Sequence, residues 1–186
     1  MLTYAKKANS ILGMLKRTFI YWDLSMVKTL YTTFVRPHLE YASSAWCLYR
    51  KKYIHTIEQI QRRATKLVPN IKHLTYEKRL EILGRTTLKE RRDRGDLIQY
   101  FKIANKFNLV NWYHPNKSMK SIESSGPAGN IRGNKQRLAR QFTRNCDQRE
   151  HFYSNRVVPL WNELSNEVVA AKTVNEFKNL IDKNKF

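Results

Sequence analysis

The sequence predicts a mainly α protein: an irregular helical bundle, then a loop-rich segment, then a small helical carboxy-terminal segment. In most of the chain, apolar residues recur every three or four positions, which is the spacing of one helix face. Several of these runs begin at Asp or Thr and end near Gly or Pro, residues that cap or stop helices. No internal repeat or heptad array accompanies them, so an irregular bundle is the expected arrangement.

The first two helices are predicted from two apolar stripes. The first stripe consists of Ala5, Ala8, Leu12, Leu15 and Phe19. The second helix, capped by Asp23, is expected to turn inward Val27, Leu30, Tyr31 and Phe34. Pro37 has no amide hydrogen, so this helix is expected to end or kink near Arg36.

Three further helices are predicted before residue 108. The first, from Tyr53 to Leu67, has an apolar stripe at Ile54, Ile57, Ile60, Ala64 and Leu67, and Pro69 closes it. The second starts at Thr75, ends at Gly84 in a left-handed cap, and turns inward Tyr76, Leu80 and Leu83. Thr87 and Glu90 have the spacing of a capping box and begin the third, which is expected to reach about Phe107.

These patterns divide the chain into a helical domain over residues 1–107, a basic loop-rich segment over 108–150 and a helical segment over 151–186. The loop is predicted from Gly126, Pro127, Gly129 and Gly133. One or two short strands between Ile131 and Phe142 are an open alternative. The last segment is expected to contain two helices, with apolar positions at Phe152, Val157, Leu160, Trp161 and Leu164, and at Val174, Phe177 and Ile181. Pro159 is unfavourable inside the first of these, and Thr173 with Glu176 caps the second.

The composition predicts a folded chain without a membrane span. A length of 186 residues with 41% hydrophobic residues suffices to bury a core. Only two cysteines occur, Cys47 and Cys146, which fits a reducing compartment; a single bridge between them is the alternative. There is no apolar run of about 18 residues and no cleavable signal pattern, so we expect an intracellular protein that is not secreted.

The net charge of +20 points to a polyanionic partner. Repulsion of this size is more tolerable when phosphates neutralise it, although ribosomal proteins and membrane-surface binders are also basic. Residues 151–186 hold five basic and four acidic side chains, so the excess lies in residues 1–150.

Catalytic and metal-binding patterns are missing from the sequence. A two-metal polymerase or nuclease needs clustered carboxylates, and the closest pair is Asp93 and Asp96, whose neighbours Arg91, Arg92 and Arg94 favour ion pairing. Cys146 and His151 have ligand spacing but lack the second pair that a zinc site requires. There is no glycine-flanked nucleophile and no phosphate-binding glycine loop. We therefore predict no cofactor, no metal and no enzymatic activity for this chain alone.

Two cationic groups have almost no acidic residues one helical turn away; the exception is Glu58, four positions before Arg62. They are Lys16 with Arg17, and Arg62 with Arg63 and Lys66. Because a solvated helix face usually mixes both signs of charge, we favour phosphate contact over a purely solvent-exposed role. Contact with nucleic acid is also open for His38, Trp46 and Tyr49, but a structural role is favoured for each.

The same blocks give the chain a family resemblance. It resembles the carboxy-terminal part of the reverse transcriptase polyprotein of jockey-like non-LTR retrotransposons, the LINE class. The matching blocks include Arg36 to Ala42 with Ala45-Trp46, Gln61 to Leu67, Thr87-Leu88 with Arg91-Arg92, Arg94 to Ile98, Arg156 to Val158, and Trp161-Asn162. Arg85, Pro159 and Ser165 depart from the family pattern.

The resemblance implies a thumb-like helical domain that grips a primer–template duplex, followed by a tail that contacts template RNA or target DNA. The aromatic-Ala-Asp-Asp turn of the polymerase palm does not occur in this sequence. The implied partners are an RNA–DNA hybrid or duplex and the palm and fingers of the parent polymerase. The implied location is a nuclear or cytoplasmic ribonucleoprotein.

The resulting hypothesis is a non-catalytic reverse transcriptase fragment that binds nucleic acid without sequence specificity. The residues expected to contact phosphate are Lys16, Arg17, Arg36, Arg62, Arg63, Lys66, Arg91, Arg92 and Arg94. The alternative is a helical protein–protein interaction module whose charge serves solubility.

Overall fold

A computed structural model describes residues 2–45, 47–108, 134, 136–140 and 142–184. Over these ranges the chain is mainly helical, as predicted. The helices in chain order are α1 (Leu2–Thr18), α2 (Leu24–Leu30), a π-helical turn (Tyr31–Val35), α3 (Arg36–Glu40), α4 (Lys51–Thr65), a 3₁₀ turn (Pro69–Ile71), α5 (Tyr76–Ile82), α6 (Leu88–Ala104), α7 (Asp147–Glu150), α8 (Tyr153–Asn162), α9 (Asn166–Val169) and α10 (Val174–Asn184).

The chain forms two compact units. Unit 1 comprises Met1–Ser43 and Leu48–Arg91, and unit 2 comprises Ser44–Cys47 and Arg92–Phe186. The division falls inside α6, whereas composition placed it between residues 107 and 108. The reason is that the later part of α6 carries large buried side chains, Leu97 and Phe101, that belong to the core of unit 2.

In unit 1, α1 packs against α3, the π-helical turn and α4, and α4 packs against α5. The predicted caps are present. The Asp23 carboxylate accepts a hydrogen bond from the Met26 amide at 2.6 Å. The Glu90 carboxylate accepts from the Thr87 amide at 2.9 Å, and the Thr87 hydroxyl accepts from the Glu90 amide at 3.2 Å. The inward stripes of α1, α4 and α5 are also largely buried as predicted. Local sequence rules therefore account for most of this unit.

The segment around Pro37 differs from the prediction. Phe34 was expected inward but is 48% exposed, whereas Val35 is fully buried. A π turn holds more residues than an α turn, so the side chains that follow are rotated relative to an uninterrupted α-helix. Pro37 then lies in the first turn of α3, where its missing amide costs little, and the helical path continues through it.

The core of unit 2 is built around aromatic rings. Phe101 of α6 stacks on Phe177 of α10 with 4.1 Å between ring centroids, and Tyr100 meets Trp161 of α8 edge-on at 4.6 Å. Trp161 is 1% exposed and its Nε1 donates to the Gln136 carbonyl at 2.8 Å. The prediction of a helix around a buried Trp161 is thus confirmed, with Pro159 inside α8.

One or two short strands between Ile131 and Phe142 were the open alternative to a loop. In the described part of that interval no strand is formed, and Leu138 takes part in an isolated β-bridge. The backbone of Leu138 is instead bound by a side chain of α8: its amide donates to Asn162 Oδ1 at 2.8 Å, and Asn162 Nδ2 donates to its carbonyl at 3.0 Å. The Asn134 amide group similarly donates to the Trp161 carbonyl at 2.8 Å. Asn162 thus pairs with both backbone polar groups of Leu138. The glycine- and proline-rich part of the predicted loop lies outside the described residues.

Candidate nucleic-acid interface

The end of α4 presents a cluster of cations in unit 1. Arg63 and Lys66 are exposed, and Arg62 is half-buried. Their position in the last turn is favourable because cations complement the negative end of the helix dipole. Lys16 and Arg17 are likewise exposed in the last turn of α1, which packs against α4. Four of the predicted contact residues are therefore available to an anion in solution.

Arg62 lies over an aromatic ring. Its guanidinium carbon is 4.1 Å from the centroid of Tyr76, which is on α5. A second arginine, Arg79, faces the same ring at 5.8 Å. Sequence reasoning did not select Arg79 as a contact residue. The available signal was its position three residues after the inward-facing Tyr76, which places both side chains on one side of a helix.

The Tyr76 ring is held in place through its hydroxyl. Gln61 Nε2 donates to this hydroxyl at 2.9 Å, and the hydroxyl donates to the Glu58 carboxylate. Gln61 also accepts from the Tyr31 hydroxyl at 2.7 Å, and Glu58 accepts from the Leu88 amide at 3.2 Å. Burial raises the pKa of both tyrosines far above the ordinary value, so both hydroxyls stay protonated. This network links α4 and α5 with the π-helical turn and the start of α6.

Arg36 and Arg91 share one carboxylate. Arg91 makes two hydrogen bonds to Glu40, Nε to Oε1 at 2.5 Å and Nη2 to Oε2 at 3.3 Å. Arg36 Nε is 3.6 Å from Glu40 Oε2. Because each arginine already faces a carboxylate, an incoming phosphate gains less from either of them than from Arg63 or Lys66.

Arg85 extends the same cationic group and was noted in the sequence only as a departure from the family pattern. Its Nη2 donates to the Lys28 carbonyl at 2.9 Å and to Thr32 Oγ1 at 2.5 Å, and its guanidinium lies 5.5 Å from the Tyr31 ring. Burial, followed by repulsion from Arg36, lowers the pKa of Arg85 below the usual value. An arginine at this position is therefore accommodated by polar contacts rather than by an apolar core.

The remaining two predicted contact residues belong to unit 2. Arg94 makes a two-pronged ion pair with Asp182 of α10, at 2.6 Å from Nε and 2.8 Å from Nη2. Arg92 is half-buried. Burial raises the pKa of the Asp96 carboxyl, and the charge of Arg92, after Arg156, opposes this rise in part. Both side chains therefore have electrostatic partners within their own unit.

Of the two carboxylates considered for metal binding, Asp93 and Asp96, the second forms a buried ion pair. Asp96 is 3% exposed and accepts two hydrogen bonds from Arg156, at 2.7 and 3.0 Å. Ion pairing was predicted, but the partner comes from α8 rather than from the neighbouring arginines. Across the described ranges no group of three or more His, Cys, Asp or Glu side chains has the arrangement of a metal site.

The other candidates occupy varied positions. Tyr49 is half-buried near Arg50, whose guanidinium lies 5.7 Å from its ring, and His38 is half-buried in α3. Trp46 lies outside the described residues. Cys47 is half-buried and Cys146 exposed, and both are free thiols.

Comparisons with known proteins leave the family open: no family model, no curated protein and no solved structure matches the chain. Among the described helices, none combines the length and apolar character needed to cross a bilayer.

Proposed function

We propose that this chain binds duplex nucleic acid or an RNA–DNA hybrid, without sequence specificity, as a non-catalytic piece of a non-LTR retrotransposon reverse transcriptase. The family part of this proposal is supported by the sequence blocks described above. The binding part is supported by one structural observation, the exposed cations Arg63 and Lys66 beside half-buried Arg62 at the end of α4.

Phosphate neutralisation is the proposed mechanism. Each phosphate that meets an arginine or lysine releases condensed counterions, and this release drives binding at moderate salt. The exposed cations Lys16, Arg17, Arg63 and Lys66 are the main contributors. Arg36, Arg91 and Arg94 already face carboxylates and contribute less. Such contacts position a duplex without reading its bases.

The salt dependence of binding tests this mechanism. In a filter-binding titration with a mixed-sequence hybrid, the plot of log affinity against log salt is expected to have a slope of about −3 to −4, since each phosphate contact contributes about −0.9. A slope near zero contradicts the proposal.

Two triple variants test whether the nucleic-acid binding site lies at the end of α4. Replacing Arg62, Arg63 and Lys66 by alanine is expected to weaken binding to all sequences alike and to reduce the slope by about 2 to 3. The control replaces Lys6, Lys72 and Lys89, three exposed lysines elsewhere in unit 1. Equal losses in both triples would show that total charge, not the end of α4, determines affinity.

A second candidate function is a protein-docking module, and one observation favours it. Ile20 and Tyr21, between α1 and α2, are each 85% exposed, and Phe34 is 48% exposed. Exposed apolar side chains mark protein interaction sites when they form a contiguous patch, and Ile20 and Tyr21 are adjacent in the sequence. Capture of a partner that survives nuclease treatment, and is lost in an Ile20→Ser, Tyr21→Ser variant, would favour this function over nucleic-acid binding.

A further inference from the structure

Arg79 is a buried residue, and no described residue of unit 1 forms an ion pair with its guanidinium. The residue is 2% exposed, and its Nε and Nη1 atoms are buried without a hydrogen-bond acceptor. Arg62 Nε is also buried without an acceptor. An arginine normally finds a carboxylate, a carbonyl or water for these donors when it leaves solvent.

The two arginines repel each other across a fixed ring. Both guanidinium groups face Tyr76, at 4.1 Å for Arg62 and 5.8 Å for Arg79. Burial and then the charge of Arg62 lower the pKa of Arg79, and Tyr76 and Glu77 only partly oppose this. The nearby carboxylate of Glu58 is occupied by the Tyr76 hydroxyl and the Leu88 amide. The cluster therefore has unused donors and positive charge, and among the described residues no carboxylate forms a hydrogen bond or ion pair with Arg79.

We infer that Arg62 and Arg79, arranged on the Tyr76 ring, form a binding site for one phosphate group of a nucleic-acid backbone. Guanidinium groups offer several N–H donors in a planar fork, which suits the oxygens of a phosphate. Arg62 is half-buried and meets the ligand from the solvent side. The phosphate supplies the negative charge and the acceptors that Arg79 lacks.

The surroundings favour a backbone phosphate over free phosphate. Lys66 lies one helical turn after Arg62 and Arg63 lies next to it, and both are exposed. A polymer can contact these cations with its neighbouring phosphates, whereas a free ion cannot. This inference rests on the proposed function and adds to it a single site that differs from the exposed cations because one of its two guanidinium groups, that of Arg79, is buried.

Variants of Arg79 separate this role from a structural one. Arg79→Met keeps the apolar stem and removes the charge, and is expected to weaken hybrid binding by about tenfold or more, as for loss of a charge-assisted hydrogen-bonding group. The same variant is expected to raise the Tm of the free protein, because it removes an uncompensated buried charge. A merely structural Arg79 would give a lower Tm instead. Arg79→Lys, which keeps the charge without the fork, is expected to restore binding only in part.

The charge-matched control is Lys183→Met, at an exposed position in α10. It is expected to change affinity by less than about twofold. If the full chain binds the hybrid with the expected salt slope but Arg79→Met behaves like Lys183→Met, the buried site is refuted while the proposed function stands. If the hybrid does not bind at all, both are refuted.

A direct readout distinguishes the source of the phosphate. The Nε–H resonances of Arg62 and Arg79 are followed by NMR during titration with inorganic phosphate and, separately, with the hybrid. Shifts of both resonances at low hybrid concentration, with phosphate acting only at much higher concentration, support the backbone assignment. Equal response to both ligands would identify a site for a free oxyanion and overturn it.

Discussion

At the residue scale, the ion pair between Asp96 and Arg156 is the most buried in the described part of unit 2. The side chains are 5% and 12% exposed, and Arg156 also donates to the Ser44 carbonyl at 3.1 Å. Burial raises the pKa of Asp96, while the hydrogen bonds from Arg156 oppose the rise. This pair joins α6, α8 and the short segment Ser44–Cys47 within one unit.

Removing one partner of this pair is expected to be costly. Asp96→Asn leaves the Arg156 guanidinium buried without a counter-charge and should lower the free energy of unfolding by about 3–5 kcal/mol, measured by urea denaturation. Replacing both residues, as Asp96→Leu with Arg156→Met, should cost less than the sum of the single changes. Strict additivity of the two would show that they do not act as a pair.

The pair between Arg94 and Asp182 predicts a pH dependence. The hydrogen bonds from Arg94 lower the pKa of Asp182 below its ordinary value of 3.8. A carboxyl whose folded pKa is depressed contributes stability above its unfolded pKa, and loses that contribution as the pH falls through the folded pKa. We therefore expect this contribution to be intact at neutral pH and to disappear progressively below pH 3.8.

The variant Arg94→Gln checks this prediction. An NMR titration of the Asp182 carboxyl carbon should give a higher pKa in the variant than in the original chain, and the loss of stability between pH 5 and pH 2 should become smaller. An unchanged Asp182 pKa would contradict the assignment.

At the element scale, the end of α5 is fixed by a glycine. Gly84 has a φ of +61°, its amide donates to the Glu81 carbonyl at 2.9 Å, and the next amide, of Arg85, donates to the Leu80 carbonyl at 2.8 Å. This is the Schellman arrangement, which needs a left-handed residue. The turn also places Arg85 where its guanidinium donates to the Lys28 carbonyl and lies near the Tyr31 ring.

Two glycine variants distinguish the effect of backbone conformation from the effect of steric room for a side chain. A Cβ added at Gly84 or at Gly13, within α1, meets nothing within 4 Å, and only Gly84 has a positive φ. Gly84→Ala is expected to lower the free energy of unfolding by about 1 kcal/mol, whereas Gly13→Ala should raise it by about 0.5–1 kcal/mol. Thermal unfolding of both variants measures the difference. A loss at Gly13 equal to that at Gly84 would argue against the conformational explanation.

The elements show which features the sequence could predict. The caps at Asp23, Thr87 and Gly84 were predicted because each depends on residues within one or two turns. The exposure of Phe34 was not, because a π turn rarely leaves a distinct mark in a single sequence and shifts every later side chain. The same reasoning applies to the candidate site. Exposed Arg63 and Lys66 were identified from charge pattern, but the unpartnered burial of Arg79 depends on how α4 and α5 pack.

Ion-pair partners were the least predictable feature. Arg94 was predicted to contact phosphate, but it pairs with Asp182, which is 88 positions away in the sequence. Asp96 was expected to pair locally, and its partner Arg156 is 60 positions away. Periodicity and capping describe a single helix, whereas these pairs arise only when separate helices meet.

At the scale of the whole molecule, the net charge of +20 affects both the stability of the free protein and its binding to nucleic acid. Added salt is expected to raise the first and to weaken the second. Self-repulsion among like charges destabilises the folded chain at low ionic strength, and salt screens it. Salt also weakens phosphate contacts, because it reduces the gain from counterion release. One property of the sequence therefore gives two measurable trends.

The Tm of the free protein is expected to rise as salt increases from about 20 mM to about 300 mM. Within this range the Debye length falls through about 10 Å, so repulsion between surface charges farther apart than this is largely screened. With an excess of RNA–DNA hybrid the trend should reverse: the Tm should be highest at low salt, where the bound ligand stabilises the folded state, and fall toward the free value as the ligand dissociates. Differential scanning fluorimetry across this range, with and without hybrid, measures both curves. Parallel curves would mean that the hybrid does not bind the folded chain. If the Tm of the free protein instead falls with salt, attractive ion pairs such as Arg94 with Asp182 outweigh the repulsion.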